Sequence, residues 1–198
     1  MPALTLSDET LRANIAARLP LTEVEFACFR RFIKPLAIPK RGFFLLEGDE
    51  CSQIAFVVRG CLRSYSIDAK GEEHTIQFAP EDWWISDLYS FLTGQPSTLN
   101  IDALEDTELW VINRPDLEDV YANVPAFERF MRLLMQSRYV ALQERVNAAL
   151  SESAAEKYDH FMRKYRALAQ RIPQHLIASY LGIKPESLSR VRRLTRLG

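Results

Sequence analysis

Near the carboxyl end, Glu186, Ser189, Arg190 and Arg193 fall at i, i+3, i+4 and i+7, the spacing that lines side chains along one face of a helix. Their chemistry suits base reading in a duplex major groove. A guanidinium donates two hydrogen bonds to guanine O6 and N7, and a carboxylate accepts from cytosine N4. Arg190 and Glu186 are the candidates for base contact. Ser187, Ser189, Arg192, Arg193 and Arg196 are the candidates for phosphate contact, which sets register on a duplex without reading sequence. Cations also suit a helix C-terminus by dipole alone, so each of Arg192, Arg193 and Arg196 has a solvated reading of similar weight.

Such a stripe needs a helix held clear of its own body. Residues 172–193 supply the constraints of two helices joined by a tight turn: Pro173 to start the first, Ala178 where the helices must approach, Gly182 for a left-handed turn residue and Pro185 to start the second. Ile177, Leu181, Ile183, Leu188 and Val191 then form a shared apolar side, which leaves the charged stripe facing solvent. The bland alternative is an ordinary helical hairpin. Charge favours the polyanion reading. From Ser151 onward ten Lys and Arg stand against four Asp and Glu, a net +6, so residues 1–150 carry -7 of the chain's -1.

The rest of the chain changes period twice. Leu11, Ile15, Leu19, Phe26, Phe29 and Ile33 predict two short helices, with Thr22 and Glu25 as a capping box for the second. From Leu36 to Ile112 short apolar or alternating runs, at 43–46, 54–58, 62–67, 74–78, 99–103 and 108–112, read as strands of a β-barrel or sandwich. Asp68–Gly71 reads as a hairpin turn, and Gly42, Gly48 and Gly60 are expected at unusual backbone angles. Pro115 and Pro125 suit first helical positions. Residues 125–150 have no internal breaker and predict a helix of roughly 39 Å. Its apolar positions cover more than one stripe, as they would if one side met the barrel and another a second copy; burial within one monomer is the alternative. Ser153 and Glu156 form a second capping box, for a helix to about Ala169. The division is therefore 1–124, 125–150 and 151–198, in an α+β chain.

Exclusions follow from what the sequence lacks. No apolar run approaches the ~18 residues that span a bilayer, and no basic-then-apolar export segment opens the chain, so a cytosolic protein without a membrane partner is expected. Cys28, Cys51 and Cys61 are odd in number and lack metal-type spacing. The strand region holds a single histidine, His74, too few for a cupin-type metal enzyme, and no nucleophile motif or phosphate-binding glycine loop occurs. No catalytic residue, metal or cofactor is expected.

Taken in order, Glu47-Gly48-Asp49, Val57-Val58-Arg59-Gly60-Cys61-Leu62-Arg63, Gly71, the Pro125 helix and residues 172–193 make the chain resemble the catabolite activator (cyclic-AMP receptor) and Fnr-type regulators. The resemblance implies a cyclic-nucleotide-binding-type jelly-roll barrel as sensor, a homodimer through the long helix, and a helix-turn-helix that binds a two-fold symmetric site in double-stranded DNA, with half-sites about 34 Å apart. It adds RNA polymerase to the candidate partners. Nucleotide-binding members carry Gly-Glu and then Arg-Ser or Arg-Thr around the cyclic phosphate; this chain has Ser86-Asp87 and Ser97-Thr98, with Leu142 and Gln143 where the long helix would face a purine. Without that arginine the phosphate lacks its strongest charge-assisted partner, so cyclic AMP is not expected to bind in the family manner. Trp83, Trp84, Tyr89 and Phe91 could line a pocket for an unknown small-molecule effector, with core packing the favoured alternative. A lone Cys28 excludes an iron–sulfur sensor, and His74 alone is a weak haem ligand. The sequence ends soon after Arg193, so the wing hairpin of the family is expected to be absent or reduced.

Overall fold

Two four-stranded sheets are assembled from eight short strands, in the computed structural model of the chain, which describes residues 6–195. The elements are α1 (Leu6–Ala16), α2 (Glu23–Phe29), β1 (Lys34–Ile38), β2 (Phe43–Leu45), β3 (Gln53–Arg59), β4 (Cys61–Ile67), β5 (Glu73–Pro80), β6 (Trp84–Ile85), α3 (Leu88–Thr93), β7 (Asn100–Ala103), β8 (Thr107–Asn113), a 3-10 turn (Arg114–Asp116), α4 (Leu117–Asn123), α5 (Pro125–Ser151), α6 (Ala154–Tyr165), a second 3-10 turn (Leu168–Gln170), α7 (Gln174–Leu181) and α8 (Pro185–Thr195). One sheet has the order β1-β8-β3-β6 and the other β2-β7-β4-β5. The chain is α+β, with the strand region, long helix and C-terminal helices that its patterning predicts and the barrel of two sheets that the resemblance implies.

All six predicted strands form. The two that were not predicted have local reasons. β1 contains Pro35, which weakens any strand reading, yet β1 lies at the edge of its sheet and pairs only with β8. β6 is two residues long and gives no alternation to read. Gly60 has φ +94°, and a Cβ there would lie 2.6 Å from Asp106 O and Thr107 Oγ1, so the β3–β4 turn admits only glycine. Gly42 differs from expectation: its φ is not positive, and it is needed because a Cβ would meet Ile38 Cγ2 at 2.8 Å and Pro39 O at 2.9 Å.

Contacts divide the chain into two compact units, one running to Ser64 and including Phe78–Ser137, the other Tyr65–Gln77 with Arg138 onward. The first unit holds the main core. Phe26, Phe29, Phe56, Phe127 and Phe130 are fully buried, with Trp84 ringed by Phe56, Phe127 and Phe130 at 5.2–6.2 Å between centroids. Each large ring removed would cost about 3–5 kcal/mol. Arg63 on β4 and Asp102 on β7 form a bidentate pair in this unit, at 3.0 and 2.7 Å, with both side chains largely covered.

The second unit is built on α6, α7 and α8. Ser153 caps α6 by the expected reciprocal bonds with Glu156. α6 ends at Tyr165, short of the predicted Ala169, and the chain tightens into the 3-10 turn at Leu168–Gln170. Phe161, Tyr165 and Tyr180 pack with centroids 5.2–5.7 Å apart. In the hairpin of this unit, Asp68 Oδ1 accepts from the Lys70 and Glu72 N–H groups, which fixes the turn.

Candidate nucleic-acid interface and barrel cassette

The α7–α8 turn follows from three residues. Pro173, expected to start α7, is instead its N-cap, and α7 begins at Gln174; the Pro173 carbonyl accepts from the Leu176 N–H at 3.1 Å. Gly182 takes φ +64°, ψ 35°, and the Ile183 N–H reaches back to Ala178 O at 3.1 Å, closing the helix end in a left-handed cap. Pro185 then opens α8. Ile177, Ala178 and Leu188 are buried between the helices, while Leu181, Ile183 and Val191 are half-buried at the margin.

With Leu188 turned inward, Glu186, Ser189, Arg190 and Arg193 are all exposed on α8. Ser187 and Arg192 are half-buried on its flanks, and Arg192 lines a concavity with Arg163 and Arg166. Arg196 lies outside the described residues. The exposed stripe thus presents one carboxylate, one hydroxyl and two guanidinium groups along about two turns of helix. That set can donate to and accept from base edges.

On α5, Phe127, Phe130, Met131 and Leu134 are buried in the first unit. Farther along, Tyr139, Leu142 and Val146 are large apolar side chains left exposed, Leu142 by 57%. With exposed Ala149 they repeat at three and four residues, the period of a two-helix seam. Gln143 is exposed beside them.

The barrel cassette is closed on itself. Ser97 Oγ donates to Asp87 Oδ2 at 2.6 Å, and both residues are buried. Asp87 also caps α3, its Oδ1 accepting from the Tyr89 N–H at 3.1 Å. Ser86 Oγ donates to Gln53 O at 3.0 Å, Trp84 Nε1 donates to Asn14 Oδ1 at 3.0 Å, Trp83 is half-buried against the core and Thr98 is exposed. The structure therefore joins Asp87 and Ser97 and places Trp84 in the core. Phe91 is buried and Tyr89 exposed.

Two contributors to the second unit were not singled out from sequence. Ser179 Oγ on α7 donates to Glu73 O at 2.8 Å and accepts from the Thr75 N–H at 2.9 Å. Arg145 on α5 donates to Ile76 O and, at 3.2 Å, to Thr75 O, with its guanidinium 4.7 Å from the Tyr180 ring centroid. Both fasten to backbone groups along β5, an edge strand. Neither carries a local sequence signal. The described residues also bring Asp68, Glu72 and His74 together at the hairpin, all exposed, with His74 Nε2 3.0 Å from Asp68 Oδ2. No described helix is long and apolar enough to cross a membrane.

Residues 36–124 match the cyclic nucleotide-binding domain family. No curated protein matches the chain by sequence. Solved structures with the same fold include FixK2 from Bradyrhizobium japonicum, at 18% identity and TM-score 0.70 over 83% of this chain and 85% of that one. The catabolite activator protein of Thermus thermophilus aligns at 19% identity and TM-score 0.60, over 91% and 85%. The c-di-GMP responsive global regulator CLP of Xanthomonas campestris aligns at 11% identity and TM-score 0.71, over 87% and 91%. At these identities the likeness is one of fold.

Proposed function

We propose that this chain, which shares the fold of the catabolite activator and Fnr-type regulators, is a sequence-specific DNA-binding transcription regulator that acts as a homodimer. The observation that carries the reading is the exposed Glu186, Ser189, Arg190, Arg193 stripe on a helix whose inner face is fixed by Leu188 and whose approach is set by Gly182. Arg190 and Glu186 read bases. Ser187, Ser189, Arg192, Arg193 and Arg196 meet phosphates. Residues 1–124 serve as barrel, 125–150 as dimerisation helix and 151–198 as DNA-binding segment, with the Tyr139, Leu142, Val146 and Ala149 face supplying the dimer seam.

The barrel does not take cyclic AMP in the family manner. Where nucleotide-binding members carry the phosphate arginine this chain has Ser97, a neutral side chain whose hydroxyl is already committed to Asp87, so an entering phosphate would lack a cationic partner. Calorimetry with cyclic AMP and cyclic GMP is expected to give no saturable heat. Saturable binding of either would overturn this reading of the cassette.

Selection of bound duplexes from a random library tests the main proposal. A palindromic site is expected, and Arg190→Ala is expected to relax preference at one base pair per half-site by roughly 1–3 kcal/mol. Unchanged preferences would remove Arg190 from the interface.

A further inference from the structure

In the second unit, α6, the 3-10 turn at Leu168–Gln170 and Arg192 of α8 enclose a concavity of about 650 Å³. Its charged lining residues are Asp159, Arg163, Arg166 and Arg192, three guanidinium groups against one carboxylate. Asp159 pairs with Arg163 one turn along α6. The guanidinium groups of Arg166 and Arg192 have no ion pair or hydrogen bond among the described residues, although Arg192 is half-buried. A guanidinium is seldom drawn out of water without a partner, so an unpaired one sharing a hollow with two others marks a place for an anion. The floor is uncharged, with Tyr158 and Met162 in it, and a low-dielectric floor beneath charges of one sign concentrates their field. Direction gives a second argument. With 3.6 residues per turn, Arg192 lies about a third of a turn round α8 from the mean of Glu186, Ser189, Arg190 and Arg193. A helix that turns such a stripe to base edges has sugar-phosphate walls along its flanks, and a third of a turn is the direction of a wall. Arg163 and Arg166, three residues apart on one side of α6, continue that flank through the shared concavity.

We propose that this concavity is a phosphate-binding site, in which the Arg166 and Arg192 guanidinium groups donate to phosphate oxygens while Asp159 competes with the ligand for Arg163. The planar guanidinium fork matches phosphate in a two-bond geometry. The direction of Arg192 favours the sugar-phosphate backbone of bound DNA as the source, which adds Arg163 and Arg166 to the contacts that α8 makes; a free phosphate ester offers the same chemistry. The DNA source rests on the regulator reading, and the phosphate site itself does not.

Two titrations of the full chain test the site and separate the sources: the selected palindromic duplex, followed by anisotropy at several salt concentrations, and inorganic pyrophosphate, followed by calorimetry without DNA. Arg166→Gln is expected to lower the salt slope of duplex binding by about 2, one contact being lost in each half-site, and to leave base preference unchanged. Asp159→Asn, which frees Arg163, is expected to tighten binding several-fold, a gain that the loss of a structural contact does not produce. Unfolding midpoints without ligand verify that both variants are folded. A lowered duplex slope without saturable pyrophosphate binding assigns the DNA backbone. Saturable pyrophosphate binding that Arg166→Gln weakens at least tenfold, with an unaltered duplex slope, assigns a free phosphate compound, and both effects together assign a site open to either. A duplex slope that both variants leave unchanged, with no pyrophosphate binding that depends on Arg166, overturns the proposal and leaves the regulator reading in place. A wild-type chain that selects no duplex fails the regulator reading instead, and the pyrophosphate arm alone then decides the site.

Discussion

Arg190 and Arg193 point outward because Leu188 does not: on a helix of 3.6 residues per turn, burying position 188 turns 186, 189, 190 and 193 toward solvent. The geometry separates two kinds of arginine by experiment. Arg193→Ala is expected to weaken binding to all duplexes alike and to reduce the slope of log affinity against log salt by about 2, one phosphate contact being lost in each half-site, because a phosphate contact releases counterions without reading a base; a change of base preference would instead move Arg193 to the reading set. Gly182→Ala has open space for its methyl group but must hold φ +64°. It is expected to lower the stability of the C-terminal unit by about 1–2 kcal/mol in urea unfolding, from backbone strain alone. The stripe and the turn were legible because both are local spacing rules. Ser179 and Arg145 were not, since their partners on β5 lie 104 and about 70 residues away in sequence and nothing in either neighbourhood marks the pairing. Likewise Ser97 and Asp87 each read as cassette positions, but their mutual bond is visible only in three dimensions.

Element boundaries follow punctuation in the chain. Thr22 with Glu25 and Ser153 with Glu156 cap their helices as read, and Pro125 and Pro185 open α5 and α8. The places that misled are those where tertiary pairing overrules local signal, as in β1 with its Pro35 and in α6, which gives way to a 3-10 turn four residues early. The caps give measurable expectations. Ser153→Ala is expected to cost about 1 kcal/mol. The Glu156 carboxyl is held below its ordinary pKa by the Ser153 hydroxyl and then the Ser153 N–H. Its contribution is therefore complete above the ordinary carboxyl value and is lost as pH falls through the lowered one. Glu156→Gln should remove that part of the acid dependence of unfolding, and an unaltered acid limb would contradict the capping assignment. For α5, the exposed Tyr139, Leu142, Val146 and Ala149 face is the element's unfinished side. The double change Leu142→Glu, Val146→Glu places four like charges across a two-fold seam. Light scattering is expected to register a monomer, and a persistent dimer would place the interface elsewhere.

Over the whole molecule, the charge asymmetry and the two changes of period were readable before any coordinates, and they fix the sequence of barrel, long helix and small helical unit. What they do not announce is the grouping of Tyr65–Gln77 with Arg138 onward. A hairpin drawn from the middle of the strand region contributes to the second unit because the free edge of β5 offers backbone groups that Ser179 and Arg145 take up. The central claim, that the C-terminal helices bind duplex DNA through a cationic ridge, is tested most directly by titrating the selected palindromic duplex with the purified chain at several salt concentrations. A steep fall in affinity with salt is expected, with a log–log slope of about −4 or beyond if at least two phosphate contacts form per half-site. Affinity that is absent at every salt concentration, or flat across them, would contradict it.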